Sequence, residues 1–530
     1  MQNPHQALLN KLQNLLGQDA VLTDESALKR LSSDVYSTGT QASLAISPRQ
    51  HELIPQAVRL IADHGYCIFP RGGGMSYTSG YLPNCDNAVV VDMSHLNKIV
   101  EVNPQDMTIT VEAGVTWQQI YEELEPRKLR LPFFGTFSGT KATVGGGMSN
   151  GALFMGTARY GTGAEIVLGL EVVSATGQLI KTGQAGFNNG KAFYRTNGPD
   201  LTGVFLHDAG ALGIKTKVTL RMMHKPSAEA CASFIFANNE DCVKAMSEIA
   251  RSGRTEEVYA LDPEATRRSL DAPDLRRDVK RLFNVVKKQG SLIRGLRDGF
   301  ALVGAGRKFV ADDSFTLHIV CAANSNESVE EDLLACRKLI AVHNGGEITN
   351  SMPKAARANP FEPLNGILGS KGDRWAALNA KVTHSDALTL IDATDKILQS
   401  HAQAMRTHNV ACTQLYIGIS NHAFSFEPVL RWFDEWLPLH RDTPEPAYLA
   451  SLTEPAANPA ARELVDQIRQ EIVDLFADFG AASNQLGKTY HYFSSLEPAT
   501  AALVGGLKKQ LDPDGIMNPG ALEFPVTNNR

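Results

Sequence analysis

Apolar side chains fall at helical spacing near the N-terminus, where Leu8, Leu9, Leu12, Leu15 and Leu16 predict an amphipathic helix packed on the body of the protein. A second helix is predicted from His51 to His64, with Leu53, Ile54, Ala57, Val58, Leu60 and Ile61 on one side and Gly65 placed to end it. The pattern then changes to short strands at Cys67–Phe69, Ala88–Val91 and Thr108–Ala113. Residues Thr116 to Lys128 read as helix, whereas Leu131 to Gly151 are so rich in Gly, Thr and Ser that no regular structure is expected there. Apolar runs at Glu165–Ser174 and Gln178–Lys181, divided by Ala175-Thr176-Gly177, predict a hairpin with Gly177 at positive φ. A strand at Ile214–Met222 precedes a candidate boundary at Lys225-Pro226-Ser227.

Beyond that boundary the texture becomes helical and charged, as in Glu264–Lys308 and Ala461–Phe479, with strands near Phe315–Val320 and Gln414–Ile419. The last fifty residues return to Gly, Asp and Pro punctuation, ending in Leu511 to Gly520. A length of 530 residues exceeds what one core serves, and the segments read as 1–37 (helical), 38–226 (a first domain), 227–480 (a second domain) and 481–530 (a C-terminal return). The charged fraction of 20% and hydrophobic fraction of 43% describe an ordinary globular chain without a transmembrane segment. A net charge of -6 repels a phosphate backbone, so no nucleic-acid partner is expected. No secretory signal opens the chain, which predicts a cytoplasmic protein, free or peripheral to the inner face of a membrane. Seven scattered cysteines without a C-x-x-C read as small buried residues, with neither a disulfide framework nor a zinc site.

Two glycine clusters carry the candidate chemistry. Arg71-Gly72-Gly73-Gly74-Met75-Ser76-Tyr77 directly follows a strand, and three residues without Cβ let backbone N–H groups converge on an anion. Asp92 lies where a ribose-binding acid would stand in a Rossmann unit, but Tyr77 occupies the third glycine position and Gly80 and Pro83 forbid a crossover helix. The second cluster, Thr143-Val144-Gly145-Gly146-Gly147-Met148-Ser149-Asn150-Gly151, repeats the close backbone approach, and two such loops suit a dinucleotide. Its Gly147–Gly151 stretch also fits G-x-S-x-G, which keeps a serine hydrolase using Ser149 as an alternative, although the preceding glycines oppose the strand that a nucleophile elbow needs.

Taken in order, these loops, Arg159-Tyr160-Gly161, Val167–Val173, Asp200–Phe205, Ala211–Ile214 and Asp512–Gly520 resemble the FAD-linked oxidase family of the p-cresol methylhydroxylase and vanillyl-alcohol oxidase superfamily, which includes glycolate and D-lactate dehydrogenases. The resemblance implies an α+β fold: a two-part FAD-binding domain of the p-cresol methylhydroxylase type, an α/β cap domain for substrate, and a C-terminal segment returning to the flavin. It implies that Arg71, Gly72, Gly73, Gly74, Met75, Ser76 and Tyr77 hold the pyrophosphate, that Thr143, Gly145, Gly146, Gly147, Asn150 and Gly151 line the adenine and flavin side, and that Tyr160, Gly161, Ile214 and Asn518 lie near the cofactor. Met75 stands where many relatives have a flavin-linking His, and Thr143 and Val144 where some have Cys, so FAD is expected to be noncovalent at both places. No His-rich Gly-Asp-Gly-Asn strand or Glu-His-Gly appears, and no metal is expected.

The activity implied is hydride transfer to flavin from the CH–OH group of a small hydroxylated substrate, a 2-hydroxy acid such as D-lactate or glycolate, or alternatively a phenolic or sugar alcohol. Such chemistry needs a base at the hydroxyl, and a carboxylate substrate needs a cation. His384 and Tyr490 are the candidate bases, against a structural His and a packed Tyr; Arg374 and Lys488 are the candidate cations, against solvated surface charges. Oxygen, a quinone or a redox protein could take the electrons, and a homodimer is the assembly allowed for.

Overall fold

The computed structural model describes residues 4–271 and 313–524. The helix Pro4–Leu16 buries Leu8 and Leu12 against Ile54, Ala57, Val58 and Ile61 of the helix Ile54–Asp63, as the leucine spacing requires. The first sheet contains β1 (Val21–Leu22), β2 (Leu44–Ile46), β3 (Cys67–Arg71) and β4 (Ala88–Asp92) in the order β1-β2-β4-β3. β2, β4 and β3 run parallel, and every residue of β4 is buried. The next strands are β5 (Ile99–Asn103), β6 (Thr108–Glu112), the short β7 (Leu129–Arg130), β8 (Val167–Val173), β9 (Leu179–Lys181), β10 (Ile214–Arg221) and β11 (Met223–His224). Five of them form an antiparallel sheet ordered β5-β6-β10-β8-β9, and β7 pairs with β11. The β8–β9 hairpin turns at Gly177, whose φ of 72° is the left-handed conformation expected there.

One segment differs from its sequence expectation. Val144–Asn150 is an α-helix despite its three glycines, because the Thr143 hydroxyl accepts the Gly146 N–H at 3.2 Å and the glycines let the helix touch its neighbours. A Cβ on Gly145 would lie 2.6 Å from that of Ala113, and one on Gly147 would lie 2.8 Å from the Trp117 ring. Ser149 therefore sits inside a helix and not on a strand-to-helix turn, which removes the elbow geometry that the hydrolase alternative required.

The second domain is an eight-stranded antiparallel sheet of β12 (Ala228–Phe236), β13 (Glu257–Leu261), β14 (Phe315–Ala323), β15 (Gly346–Ile348), β16 (Arg374–Ala377), β17 (Ala380–Val382), β18 (Ala411–Ile419) and β19 (Ala423–Trp432). Its order is β15-β12-β14-β13-β18-β19-β16, with β17 also pairing with β19. Strand alternation gives it two apolar faces. Val258, Ala260, Tyr416, Phe424 and Phe426 pack beneath the helices Asn239–Ser252, Asn326–Val342, Ala387–Ser400 and Pro459–Asp478. Tyr259, Ile417 and Ile419 meet Phe154 and the rest of the first domain's core. Of the helix expected over Glu264–Lys308, Pro263–Asp271 is helical and the remainder lies outside the described residues.

Buried polar groups clamp the domains together. Glu256, beside β13, is buried between Arg130 of β7 and Arg357, and both guanidiniums also stand over the Phe134 ring at 4.9 and 5.0 Å. Arg159 reaches across to the Ala322 and Arg254 carbonyls at 2.7 and 2.8 Å. Burial alone would raise the Glu256 carboxyl, but Arg357 and Arg130 outweigh it and hold the group below the usual range. Its stabilisation is therefore present above the unfolded-state value and is lost as the pH falls through the depressed one. Glu256→Gln is expected to cost about 3–5 kcal/mol, because it leaves the buried Arg130 guanidinium without a carboxylate among the described residues, while Arg357 keeps Glu257 at 3.3 Å and Glu229 at 3.5 Å. Urea unfolding at neutral pH checks this, and a loss below about 1 kcal/mol would mean that the clamp is dispensable.

Candidate active site

β3 ends at Arg71, and the chain turns at once through the glycine run, so backbone and guanidinium reach the same cleft. Arg71 is 7% exposed, its Nη1 donates to the Gly72 carbonyl at 3.2 Å, and its plane stands 5.3 Å from the Tyr81 ring. Among the described residues no carboxylate pairs with it, and its buried Nε has no hydrogen-bond partner. A second cation lies close by: Lys141 is held below its ordinary value by burial and by the Arg71 charge, while its Nζ donates to the Thr443 hydroxyl at 3.1 Å. Arg71, Gly72, Thr143, Gly145, Gly146, Asn150 and Ile214 all line this cleft. The Cβ-free approach is needed here, since a Cβ on Gly72 would collide with the Thr143 hydroxyl and one on Gly73 with the Lys141 carbonyl.

The C-terminal segment backs the cleft without lining it. Ile68 donates to the Ile516 carbonyl and accepts from the Asn518 N–H, both at 2.8 Å, so residues 516–518 run alongside β3. Asn518 is 1% exposed, with its amide nitrogen donating to the Gly80 and Ala209 carbonyls at 2.7 and 2.6 Å. Its Oδ1, like that of Asn150, is buried without a partner. Two cations without an ion pair among the described residues, backbone lacking side chains and orphaned amide oxygens fit a dinucleotide: a diphosphate for the cations, hydrogen-bonding rings for the amides, with Asp442 the one carboxylate that favours the Lys141 charge.

Other residues from the glycine loops lie outside the cleft. Met75 and Tyr77 pack against Val35, Ile367, Leu368 and Trp436, and the Ser76 hydroxyl donates to Gln485 at 3.2 Å. Gly74 takes φ +75° beneath the Arg71 guanidinium. Gly147 and Gly151 serve close packing, the latter against His207 and the Asn484 carbonyl. Tyr160 ends the short helix Thr157–Tyr160 within 5.8 Å of Arg130 at the domain junction, followed by Gly161 at φ 80°.

A cavity of about 410 Å³ lies between the end of the helix Pro459–Asp478, residues 480–496, β17 and His207. Lys381 reaches it from β17, and no ion pair is formed by its ammonium among the described residues; burial brings it down to about 8, against a weaker opposing pull from Glu165. His207 is brought down to about 4, by burial first and then by Lys381. Its Nδ1 stands 3.2 Å from the Asn484 carbonyl, which only a protonated Nδ1 satisfies, so Nε2 carries the lone pair. Tyr490, 5% exposed, is on the same wall, and its hydroxyl accepts the Asn379 N–H at 2.6 Å.

Strand register adds a carboxylate to this group. Lys381 is opposite Ser425 in the β17–β19 pairing, and the Asn379 amide donates to the Ser425 hydroxyl at 2.8 Å and to Glu427 at 3.5 Å. With period two, Asn379, Lys381, Ser425 and Glu427 share the sheet face away from the helices. Burial raises the Glu427 carboxyl to about 7 despite the Asn379 hydrogen bond. Tyr77 and Tyr490 both feel its charge, and Arg469 donates to the Tyr77 carbonyl at 3.2 Å.

The four candidate catalytic residues divide. Tyr490 is in this group. His384 is not: burial first, and then Arg251 on a helix behind the sheet, hold its imidazole below the ordinary value, against an opposing hydrogen bond at Asn421. Arg374 is no solvated charge; it is 2% exposed, paired with Asp434 at 3.0 Å and donating to the Tyr36 carbonyl at 2.6 Å. Lys488 turns into the first domain, donating to the Leu82 carbonyl at 2.6 Å. Glu427, Lys381 and His207 were not singled out by spacing, although a Glu between Phe426 and Pro428 in an apolar strand is a signal that could have marked one of them.

A model of the FAD binding domain matches residues 42–183, and a model of the C-terminal domain of FAD linked oxidases matches residues 225–522. The chain is 28% identical over 255 residues to the glycolate oxidase subunit GlcD of Bacillus subtilis (strain 168), covering 48% of this chain and 51% of that one. The match thus spans about half of that relative's length. It is 21% identical over 491 residues to a mitochondrial cytochrome D-lactate dehydrogenase of Kluyveromyces lactis, covering 92% of this chain and 74% of that one. Its fold is similar to that of 4-ethylphenol oxidase from Gulosibacter chungangensis, with a TM-score of 0.73 at 16% identity, covering 100% of this chain and 99% of that one. From the glycine cleft through the eight-stranded sheet to the C-terminal return, this protein belongs to the FAD-linked oxidases and has their FAD binding domain.

Proposed function

We propose that this enzyme dehydrogenates the CH–OH carbon of a small 2-hydroxy acid. The observation that carries the reading is the unpaired Lys381 ammonium in the same cavity as Tyr490 and on the same sheet face as Glu427. In this reading Arg71 and Lys141 hold the diphosphate of FAD, and Asn150 and Asn518 offer their orphaned oxygens to its donors. When bound, the flavin supplies the two-electron acceptor for the substrate C–H bond.

Lys381 holds the substrate carboxylate in an ion pair shielded from bulk water. Glu427 takes the hydroxyl proton, for which a carboxyl raised to about 7 is well matched at neutral pH. Tyr490 already accepts one hydrogen bond from Asn379, and its own proton is directed to the substrate oxygen, fixing that oxygen between donor and base. The apolar wall of Val473, Phe476 and Leu486 limits water in the cavity. A phenolic alcohol is the second reading, favoured by Tyr77 and Tyr490 beside Glu427, two hydroxyls able to hold a phenolate.

Anaerobic mixing with hydroxy acids and with phenolic alcohols separates the readings: bleaching of the visible flavin band by an acid supports the first, and bleaching by phenols alone overturns it. Lys381→Met is expected to raise KM for the acid by about tenfold or more, the size of one lost charge-assisted contact, while leaving a neutral alcohol unaffected. Glu427→Gln is expected to lower kcat by about 10²–10⁴-fold. Activity should rise with pH through about 7 as Glu427 loses its proton and fall through about 8 as Lys381 loses its charge; a flat profile would exclude both roles. Arg71→Ala should emerge from gel filtration depleted of FAD, whereas full retention would remove the guanidinium from the cofactor contact.

A further inference from the structure

The cavity that holds Lys381 and Tyr490 has two unlike ends. At one end Lys381 and Ala482 exchange backbone hydrogen bonds, the Ala482 N–H donating to the Lys381 carbonyl at 3.0 Å and the Lys381 N–H to the Ala482 carbonyl at 2.5 Å. Asn484, whose carbonyl meets His207, and Asn379, whose N–H meets the Tyr490 hydroxyl, flank this bridge in the chain. The groups able to hold a carboxylate and a hydroxyl are therefore gathered on that side.

The other end is apolar. Val473, Phe476 and Ala477, at i, i+3 and i+4, turn one stripe of the 20-residue helix Pro459–Asp478 to the cavity, and Leu486 and Leu496 complete the wall. Val473 and Phe476 are buried, and the Phe476 ring stands edge-on to Phe426 at 6.3 Å, so the second domain's core backs this wall. Among the described residues lining the cavity, His491 is the one further group at this end able to carry a positive charge. Both of its ring nitrogens are taken, by Glu523 and by Asp474, at 2.9 Å each. Two carboxylates beside one imidazole, at the negative C-terminal end of a helix, oppose a second carboxylate on a ligand.

The volume of about 410 Å³ corresponds to about fourteen waters at the roughly 30 Å³ that each takes in the liquid. Glycolate or lactate bound through its carboxylate to Lys381 would leave most of that space to water lying on Val473, Phe476 and Leu486. Cavities of about 300–1,000 Å³ with apolar walls and a few polar groups enclose larger ligands. We propose that the substrate is a monocarboxylic 2-hydroxy acid with an extended apolar tail, its carboxylate at Lys381 and its tail along Val473, Phe476 and Ala477. This substrate class rests on the 2-hydroxy acid reading of the site and specifies the substituent on the CH–OH carbon. Each added methylene moves apolar surface out of water while Lys381, Glu427 and Tyr490 meet the same head group.

The test is anaerobic reduction of the FAD-loaded full-length enzyme by lactate, 2-hydroxybutyrate and 2-hydroxyhexanoate, with 2-hydroxyglutarate as a dicarboxylate of comparable length. The second-order rate constant of flavin bleaching is expected to rise about fourfold per methylene from lactate to 2-hydroxyhexanoate, the factor for one buried CH₂, and 2-hydroxyglutarate should fall well below 2-hydroxyhexanoate. Calorimetric titration with the saturated acids, which lack the hydroxyl and do not react, should give the same order of affinity. Ala477→Phe, which fills the apolar end, should abolish the gain with length, and Lys381→Met should weaken all lengths alike. A rate that is flat or falls beyond lactate, or 2-hydroxyglutarate matching 2-hydroxyhexanoate, would overturn the apolar tail and leave a dehydrogenase of 2-hydroxy acids. Failure of every acid to bleach the flavin would overturn that reading and the tail with it. The wild-type series decides this even where a variant fails to fold.

Discussion

Two guanidiniums around one buried carboxylate hold the halves of this molecule in register. Glu256 is compatible with its surroundings only while Arg130 of the first domain and Arg357 of the second both face it, because a buried carboxylate without partners would be forced to neutralise. Phe134, with a guanidinium near each side, and Arg159, tied to carbonyls across the junction, narrow the arrangement further. Apolar contacts between Phe154, Tyr259 and Ile417 would tolerate sliding; directional charge does not. The sheet face bearing Glu427 and Lys381 therefore has one fixed aspect toward His207 of the first domain.

The electrostatic contrast between structural and chemical charges is plain within one protein. Arg374, Glu256 and Asp434 are buried with partners of opposite sign, and their charges are satisfied by the fold. Arg71, Lys141, Lys381 and Glu427 are buried or half-buried without such partners. Leaving four charges uncompensated lowers stability, and all four line or adjoin a cavity. That coincidence separates a binding site from an ion pair better than residue identity does.

Much of the scaffold was legible in the sequence because local rules govern it. The leucine spacing of the first helix, the Gly177 hairpin and the strand before the Arg71 loop are each decided within a few residues, and the structure has them all. Residues 144–150 were misread because glycine opposes helix in isolation, whereas here the Thr143 cap and the close approach of Ala113 and Trp117 prevail. The glycine cleft was visible in the same way, as a repeated absence of side chains. Glu427, Lys381 and Lys141 were not, because their distinction is a missing partner, and partners are set by β17, β19 and residues far away in the chain. His384 shows the converse: a residue of suitable chemistry three positions from Lys381 faces Arg251 on the other side of the sheet.

The return of residues 516–518 to the side of β3 also orders events in time. During synthesis β3 leaves the ribosome with one edge unpaired, since the chain that bonds to both the N–H and the carbonyl of Ile68 is made long after it. The strand that carries Arg71 is therefore fully paired only after that late segment has folded back.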